Sequence, residues 1–534
     1  MSRPELLRDD ARAAGVRTLV DLLEYRAERQ PADVVFRFIN SDGREEEVLT
    51  FATLRRRARA IATHLAEHVV PGDRVVLLVP PGLEYVASFF GCLYAGVVAV
   101  PAYPPNPRRA DPRVARIVAD CGSRVALVNN AFMARLDGWL ALTPELSALT
   151  WLDAGPLGDG DASAWRAPDV TGASLAMLQY TSGSTGDPRG VMLAHSNLLH
   201  NSAVIHRVSE HRPLDNGVFW LPQFHDMGLI GGILQPIYAG LSAALMAPAT
   251  FLQRPLRWLE AMSRYGATTS GAPNFAYDLC VERIGETERA TLDLSAWRTS
   301  FNGAEPIRAD TIARFSQAFA ASGLRRDVIL PCYGLAEGTL LVSGGPAERA
   351  PMIVAADRRA LESGELRAPD ERGSSPLALV ASGEPVAEQE VAIVDPDTGL
   401  RSGDGQVGEI WVAGASVAAG YWGRPDATAA AFQARLAGSD RLFLRTGDLG
   451  VLVEGQLVVT GRLKDLVIID GRNYYPHDIE LAAERSHSSL RAGFTAAFGV
   501  PVEDRERLVL VAEVVRQHKP EADRSVLQAI RTEL

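Results

Sequence analysis

Apolar and polar positions follow two rhythms along this chain of 534 residues. Through the first half and beyond, short apolar runs alternate with stretches of helical spacing. Arg74–Val79, Val97–Val100, Arg124–Val128, Ala243–Ala247, Thr268–Ser270, Thr299–Asn302 and Asp327–Pro331 read as strands, and Leu83–Tyr94 reads as a helix. This alternation predicts parallel sheets covered by helices. From Glu388 the runs shorten and the turns tighten. Val391–Val394, the turn Asp395–Gly399 and Glu409–Val412 come first, then Val451–Val453 and Gln456–Val459 close a hairpin at Glu454-Gly455. A small β-rich subdomain over about 384–463, in the form of a distorted barrel, is the expected result. Beyond Gly461-Arg462-Leu463-Lys464-Asp465 come a strand (Leu466–Ile469), a turn (Asp470–Asn473), a helix opened by Pro476 and a last helix over Ser525–Leu534. The predicted class is α/β: a large N-terminal domain, 1–463, of helix-covered parallel sheets plus the β-rich subdomain, then a small α+β domain, 464–534. Between Ser343 and Ser382 lies a polar segment with one weak helix, Asp357–Ser363. Loops that long are uncommon in compact domains and are often functional.

Composition narrows the class. Hydrophobic content of 47% and charged content of 22% describe an ordinary soluble globular protein. Val86–Tyr103 carries no charge, but Gly91, Gly96 and the prolines from Pro101 onward break it, so a buried helix and strand fit better than a bilayer span. A formal net charge of −11 argues against nucleic acid or an anionic membrane as main partner. Cys92, Cys121, Cys280 and Cys332 lack metal or disulfide spacing, and the first ten residues lack the apolar core of a signal peptide. A reducing cytoplasm is therefore expected. Lysine occurs only at Lys464 and Lys519, so arginine carries nearly all the positive charge.

The most informative chemistry lies in Thr181-Ser182-Gly183-Ser184-Thr185-Gly186-Asp187-Pro188-Arg189-Gly190. It is entered from the apolar run Ser174–Tyr180 and leaves through Val191–Ala194 into a helix expected to be capped by Ser196. Glycines let a backbone approach an anion, hydroxyls and N–H groups donate to phosphate oxygens, and Arg189 adds charge. No Gly-Lys-Ser/Thr follows, so this is not a Walker-type loop.

Together with Asn302-Gly303-Ala304-Glu305-Pro306, Cys332-Tyr333-Gly334-Leu335-Ala336-Glu337, Thr446-Gly447-Asp448 and Gly461-Arg462-Leu463-Lys464-Asp465, that loop resembles the adenylate-forming enzymes: acyl-CoA synthetases, luciferases, peptide-synthetase adenylation domains and fatty acyl-AMP ligases. The resemblance implies that ATP is a substrate and Mg2+ a cofactor. A carboxylate attacking the α-phosphate needs positive charge, donors and alignment. Thr181, Ser182, Gly183, Ser184, Thr185 and Gly186 would hold the β- and γ-phosphates, with Thr181 and Thr185 in the catalytic set. Glu337 resembles the magnesium ligand. Tyr333 resembles the aromatic stacked on adenine, with Gly303, Ala304 and Glu305 covering the other face and Gly334 beside it. Asp448 resembles the ribose-binding carboxylate, Arg462 the cation near ribose and α-phosphate, and Lys464 the hinge of a rotating C-terminal domain. Arg189 departs from the lysine commonest at its position, so phosphate contacts are expected to differ modestly.

Trp220–Gly232 (Trp-Leu-Pro-Gln-Phe-His-Asp-Met-Gly-Leu-Ile-Gly-Gly), Pro273–Cys280 and Gly471–Glu480 resemble the fatty acyl-AMP ligase branch, although Tyr474 and His477 replace an expected His and Gln. On this resemblance His225 would sit where an acyl pocket meets the carboxylate, and Met227, Ile230, Phe275 and Tyr277 would line a tunnel for an alkyl chain. Residues 343–382 match an insertion that in this branch restrains the C-terminal domain and disfavours coenzyme A. The expected acyl acceptor is then an acyl carrier protein, or a carrier domain of a polyketide or peptide synthase. A fatty acyl-CoA ligase and a non-catalytic nucleotide- or lipid-binding module are the alternatives. The family's adenylating lysine belongs to a Ser-Gly-Lys motif that does not occur before Leu534; Lys519, in Gln517-His518-Lys519-Pro520, lacks that setting. The domain 464–534 is therefore expected to be a truncated, partial lid domain, and loss of one such donor implies adenylation slowed about 10²–10³-fold.

Overall fold

The computed structural model describes residues 15–182, 188–212, 214–370, 376–469, 472–502, 505–518 and 523–534. Two largely parallel sheets form the bulk of the protein. The first has nine strands. Its parallel centre runs Ile329–Gly334, Thr299–Asn302, Thr269–Ala272, Asn216–Phe219, Ser242–Met246 and Val34–Ile39. The second has six strands in the order Thr150–Asp153, Val125–Val128, Arg74–Leu77, Val98–Pro101, Leu175–Ser182 and Pro188–Ala194. Helices cover both, as a sheet apolar on its two faces requires. Leu83–Tyr94 shows why: every residue in it is buried except Glu84, so it is a core helix between layers. Among the described residues no helix is long and apolar enough to cross a membrane.

The β-rich part is an open five-stranded antiparallel sheet rather than a barrel, with Gln389–Val394, Gly408–Gly414, Leu442–Val453 and Gln456–Arg462 as its main strands. Its hairpin turns at Glu454 and Gly455, both with positive φ, as the tightest two-residue turns require. The last part pairs Val467–Ile469 with Arg472–Tyr474 and Leu490–Val502 with Arg505–Val514, flanked by helices Pro476–Ser486 and Asp523–Glu533. Of the expected turn Asp470–Asn473, Asp470 and Gly471 lie outside the described residues, as does Lys519, while Arg472 and Asn473 belong to a strand instead.

Two expectations are corrected. The helix after the hydroxyl-rich loop, His195–Val208, starts from Ala194 rather than Ser196; the Asn197 Oδ1 accepts the Ala194 N–H at 3.0 Å and does the capping from inside the first turn. The polar segment 343–382 is also more than a loop with one helix. Ile353–Ala356 pairs antiparallel with Leu377–Val380 around the short helix Arg358–Glu362. That unit reaches the last part of the chain through two partly exposed ion pairs, Arg358–Asp478 and Arg472–Glu362, both at 3.8 Å.

Candidate active site

A cavity of about 790 Å³ opens where the nine-stranded sheet presents its C-terminal strand ends, the usual ligand position in open α/β sheets. Strand Ile329–Gly334 delivers Tyr333 and Gly334 to its wall, and a single tight turn, Ala336–Gly338, follows with Glu337. Gly334 is dictated by contact: a Cβ there would lie 1.7 Å from the Leu340 carbonyl oxygen. Gly303 and Ala304 line the same wall after strand Thr299–Asn302, and Ala304 holds φ 70, a conformation costly for a residue with a Cβ. Glu305 does not line the cavity; its Oε1 accepts the Phe275 N–H at 2.5 Å.

Two of the carboxylates that line this space, Asp448 and Glu337, are each held by partners from distant segments. The Tyr333 hydroxyl donates to Asp448 Oδ2 at 2.8 Å, and Arg462 Nε donates to Asp448 Oδ1 at 3.0 Å. Beneath them Glu409 accepts from Arg445 Nε at 2.9 Å and from the Gly447 N–H at 3.1 Å, fixing the turn that carries Asp448. Burial raises the pKa of Asp448, and Arg462 and Tyr333 offset only part of that rise. Glu337 Oε1 accepts the Tyr421 hydroxyl at 2.8 Å, while the Arg189 guanidinium lies 5.4 Å above the Tyr421 ring. Burial raises Glu337 as well; the Tyr421 bond opposes this, and the charges of Asp226 and Asp448 add to it. A desolvated carboxylate beside two others is suited to a dication, so the residues present fit magnesium at Glu337. Among the described residues Glu337 belongs to no group of three side chains with metal-ligand spacing. The one such group among the described residues, His64, Glu67 and His68, does not line this cavity.

Tyr421 was not foreseen from sequence. Nothing local marks Gly420-Tyr421-Trp422; backbone bonds from Met192 to Gly420 and from Trp422 to Gly190 bring it beside Arg189. Tyr421→Phe should weaken acyl-adenylate formation about tenfold, the scale of one hydrogen bond to a charged group. Steady-state pyrophosphate release checks this, and an unchanged rate would remove Tyr421 from the site.

The segment before the long helical turn supplies His225 and Asp226, both on the cavity wall. Gln223 Oε1 accepts the Gly82 N–H at 2.8 Å and Gln179 Nε2 donates to the Phe224 carbonyl at 3.1 Å, which pins this segment to the other sheet. His225 Nδ1 lies 2.6 Å from Asp226 Oδ1. Burial disfavours the imidazolium, but the hydrogen bond and charge of Asp226 outweigh it, and the net shift is upward. A raised histidine adds stability below its unfolded pKa and loses it as pH rises through the folded value. Asp226→Asn removes the charge that raises this half-exposed ring. His225 should then titrate lower than in the unaltered protein. Selectively labelled histidine NMR checks this; an unmoved titration would mean that Asp226 does not control the ring.

Met227–Leu234 winds as a π-helix, a rare form common at functional sites. Gly228 permits its start, since a Cβ there would lie 2.0 Å from the Pro222 carbonyl oxygen. Met227 lines the cavity, but three residues assigned to a tunnel do not. Ile230 is buried in the core, because the π winding presents Gly231 to the cavity instead. Tyr277 is core too, its hydroxyl bonded to Ser300 Oγ at 2.8 Å and to the Phe301 carbonyl at 2.7 Å. Phe275 is 41% exposed, edge-on to Trp220. Thr181, Arg189, Arg462 and Lys464 all line the cavity. Thr181 pairs with Arg189 across strands Leu175–Ser182 and Pro188–Ala194. Gly183, Ser184, Thr185 and Gly186 lie outside the described residues, and Ser182 ends its strand.

A doubly sheeted α/β body with an anionic, arginine-bearing cleft at its strand ends defines a nucleotide-handling enzyme class. The AMP-binding enzyme profile matches residues 23–422, and the chain belongs to that family. It is 42% identical to the medium-chain-fatty-acid–[acyl-carrier-protein] ligase JamA of Moorena producens, over 95% of this chain and 87% of that one. It is 38% identical to the long-chain-fatty-acid–AMP ligase FadD32 of Mycolicibacterium smegmatis, over 88% and 77%. Among solved structures, the fatty acyl-adenylate ligase from L. pneumophila in complex with acyl adenylate and pyrophosphate superposes with a TM-score of 0.81 at 42% identity, covering 96% of this chain and 89% of that one.

Proposed function

We propose that this protein activates a fatty acid with ATP and passes the acyl group to the phosphopantetheine thiol of an acyl carrier protein. A carboxylate oxygen of the acid bonds to the α-phosphorus, and the bond to the bridging oxygen breaks as pyrophosphate leaves. The thiol then loses its proton and attacks the acyl carbon, and AMP departs. The observation that carries this reading is the pair of linked carboxylates on one cavity, Tyr333–Asp448–Arg462 and Arg189–Tyr421–Glu337. The relatives JamA and FadD32, named for fatty acids, a carrier protein and AMP, support the substrate class.

In this reading Tyr333 stacks on adenine against Gly303 and Ala304, and Asp448 accepts from the ribose hydroxyls through lone pairs that Tyr333 and Arg462 leave free. Arg462 and Arg189 place positive charge near the phosphates, where the 181–186 loop supplies donors. His225, held by Asp226, orients the acyl carboxylate at the mouth of the chain pocket. Magnesium at Glu337 would supply charge neutralisation to the phosphates and the leaving pyrophosphate. We place the small domain at 464–534, turning at Lys464, and the site of action in the cytoplasm.

The ion pairs from Arg358 and Glu362 to the last part of the chain support acceptor choice, since contacts made in one lid position bias the lid toward it. Offered a carrier protein and coenzyme A together with fatty acid, ATP and magnesium, the protein should load the carrier. Mass spectrometry of the thioesters checks this, and predominant acyl-CoA would turn the assignment to an acyl-CoA ligase.

A further inference from the structure

Glu337 sits on a tight connection that the chain holds against its own backbone preference. Strands Ile329–Gly334 and Leu341–Gly344 pair antiparallel, and residues 335–340 between them carry the carboxylate. The Gly338 N–H donates to the Leu335 carbonyl at 3.0 Å, the Thr339 N–H to the Ala336 carbonyl at 2.9 Å and the Leu335 N–H to the Leu340 carbonyl at 3.1 Å. Within this closed loop Thr339 takes φ 71 and ψ −61. Those angles belong to the strained form of the γ-turn, and a β-branched residue there is a genuine outlier. Glycine would adopt them at little steric cost.

The position holds threonine instead, and its hydroxyl is engaged. Thr339 is fully buried, and its Oγ1 donates to the Ser416 carbonyl at 2.5 Å. Two more rungs join the same two segments. The Ala418 N–H donates to the Glu337 carbonyl at 2.9 Å, and the Tyr421 hydroxyl donates to Glu337 Oε1 at 2.8 Å. Ser416 is itself fixed from behind: its Oγ accepts from Asn201 Nδ2 at 3.0 Å and lies 2.7 Å from His200 Nδ1, whose ring reaches Glu388 Oε2 at 3.0 Å through Nε2. Asn201 also bonds the N–H and the carbonyl of Leu341, the first residue after the connection, at 3.1 and 3.0 Å. Costly backbone conformations persist only where their surroundings over-determine them, and they gather at functional sites.

We infer that Thr339 is a positioning residue for adenylation: its bond to Ser416 holds the strained connection in place and so aims the Glu337 carboxylate at the phosphate end of the cavity. Without that hydroxyl the connection is free to relax toward an ordinary conformation. Glu337 lies two residues away, so its carboxylate moves with the relaxing backbone. Tyr421, joined to the same carboxylate, loses its alignment as well. The inference rests on the function proposed above, in which Glu337 is the residue that would hold magnesium.

Thr339→Val tests this, because valine keeps the branched shape and removes the donor, while Thr339→Ser keeps the donor. Pyrophosphate release at saturating ATP and fatty acid should fall about tenfold in the valine variant, the scale of one hydrogen bond, and return with serine. The magnesium needed for half-maximal rate should rise while the fatty-acid KM stays unchanged, a split that a general loss of folding does not produce. In a Glu337→Gln background Thr339→Val should cost nothing further, since two changes acting through one carboxylate do not add. A readout without turnover replaces magnesium by Mn2+ with a non-hydrolysable ATP analogue and follows binding by electron paramagnetic resonance. Manganese affinity should fall about tenfold with valine and recover with serine. If Thr339→Val does not fold, Thr339→Gly takes its place, because glycine meets the backbone angles without strain yet lacks the hydroxyl. Unchanged rate and manganese affinity, no recovery with serine, or a further loss in the Glu337→Gln background overturns the inference and leaves the proposed function standing. Failure of the unaltered chain to bind manganese with the analogue overturns both.

Discussion

Glu337→Gln should reduce acyl-adenylate formation by about 10²–10³-fold, the usual loss when one preorganised charge partner is removed from a phosphoryl-transfer site. The same variant should leave the ligand-free protein as stable as before or more so. Burial raises the Glu337 carboxyl, so its ionised form is disfavoured in the folded state. A carboxyl with a folded pKa above its unfolded value lowers stability as pH rises through that interval, and glutamine removes this penalty. The amide oxygen can still accept the Tyr421 hydroxyl that Glu337 accepts now at 2.8 Å. Stability gained with activity lost is the mark of a residue kept for chemistry. Thermal unfolding above neutral pH and mass spectrometry of acyl-AMP together check this. Unchanged yield would exclude Glu337 from the site, and a large drop in melting temperature would make it structural.

Gly334→Ala should produce the largest loss of folding free energy, at least about 3 kcal/mol, beyond the common range for overpacked positions. The clash, 1.7 Å to the Leu340 carbonyl oxygen, is between two main-chain segments, so no side-chain rotamer relieves it. Strand Ile329–Gly334 would have to separate from Leu341–Gly344, carrying Tyr333 away from Asp448. Gly138→Ala is the matching control. It lies in the short helix Leu136–Leu140 with nothing within 4 Å of a new Cβ, and it should gain up to about 1 kcal/mol. Urea unfolding of the two variants checks the contrast; equal stability would contradict the packing described at Gly334.

The parallel strands were legible because burial on both faces leaves an unbroken apolar run, and Thr299–Asn302 is met end to end. Ends drift where a polar residue continues the pairing: Ile329–Gly334 runs past the expected Pro331 because Tyr333 and Gly334 still pair with Leu341–Gly344. The Met227–Leu234 winding was not legible, since glycines and aliphatics in such a run have the same polarity in either helix type. This is also why Ile230 and Tyr277 were placed on a tunnel: hydrophobicity reports burial and cannot tell a core from a cavity wall. Tyr421 escaped because its partners, Arg189 and Glu337, are distant in sequence and joined only by the folded chain.

The ladder that pairs Asp448 with Arg462 has its last rung at that pair, two positions before the only lysine in the described residues. On the function proposed above, a swivel at Lys464 would therefore tug first on the guanidinium that clasps Asp448. Product escape and movement of the small domain would then share one latch, and a stiffer chain at that point should trap AMP as surely as it immobilises that domain.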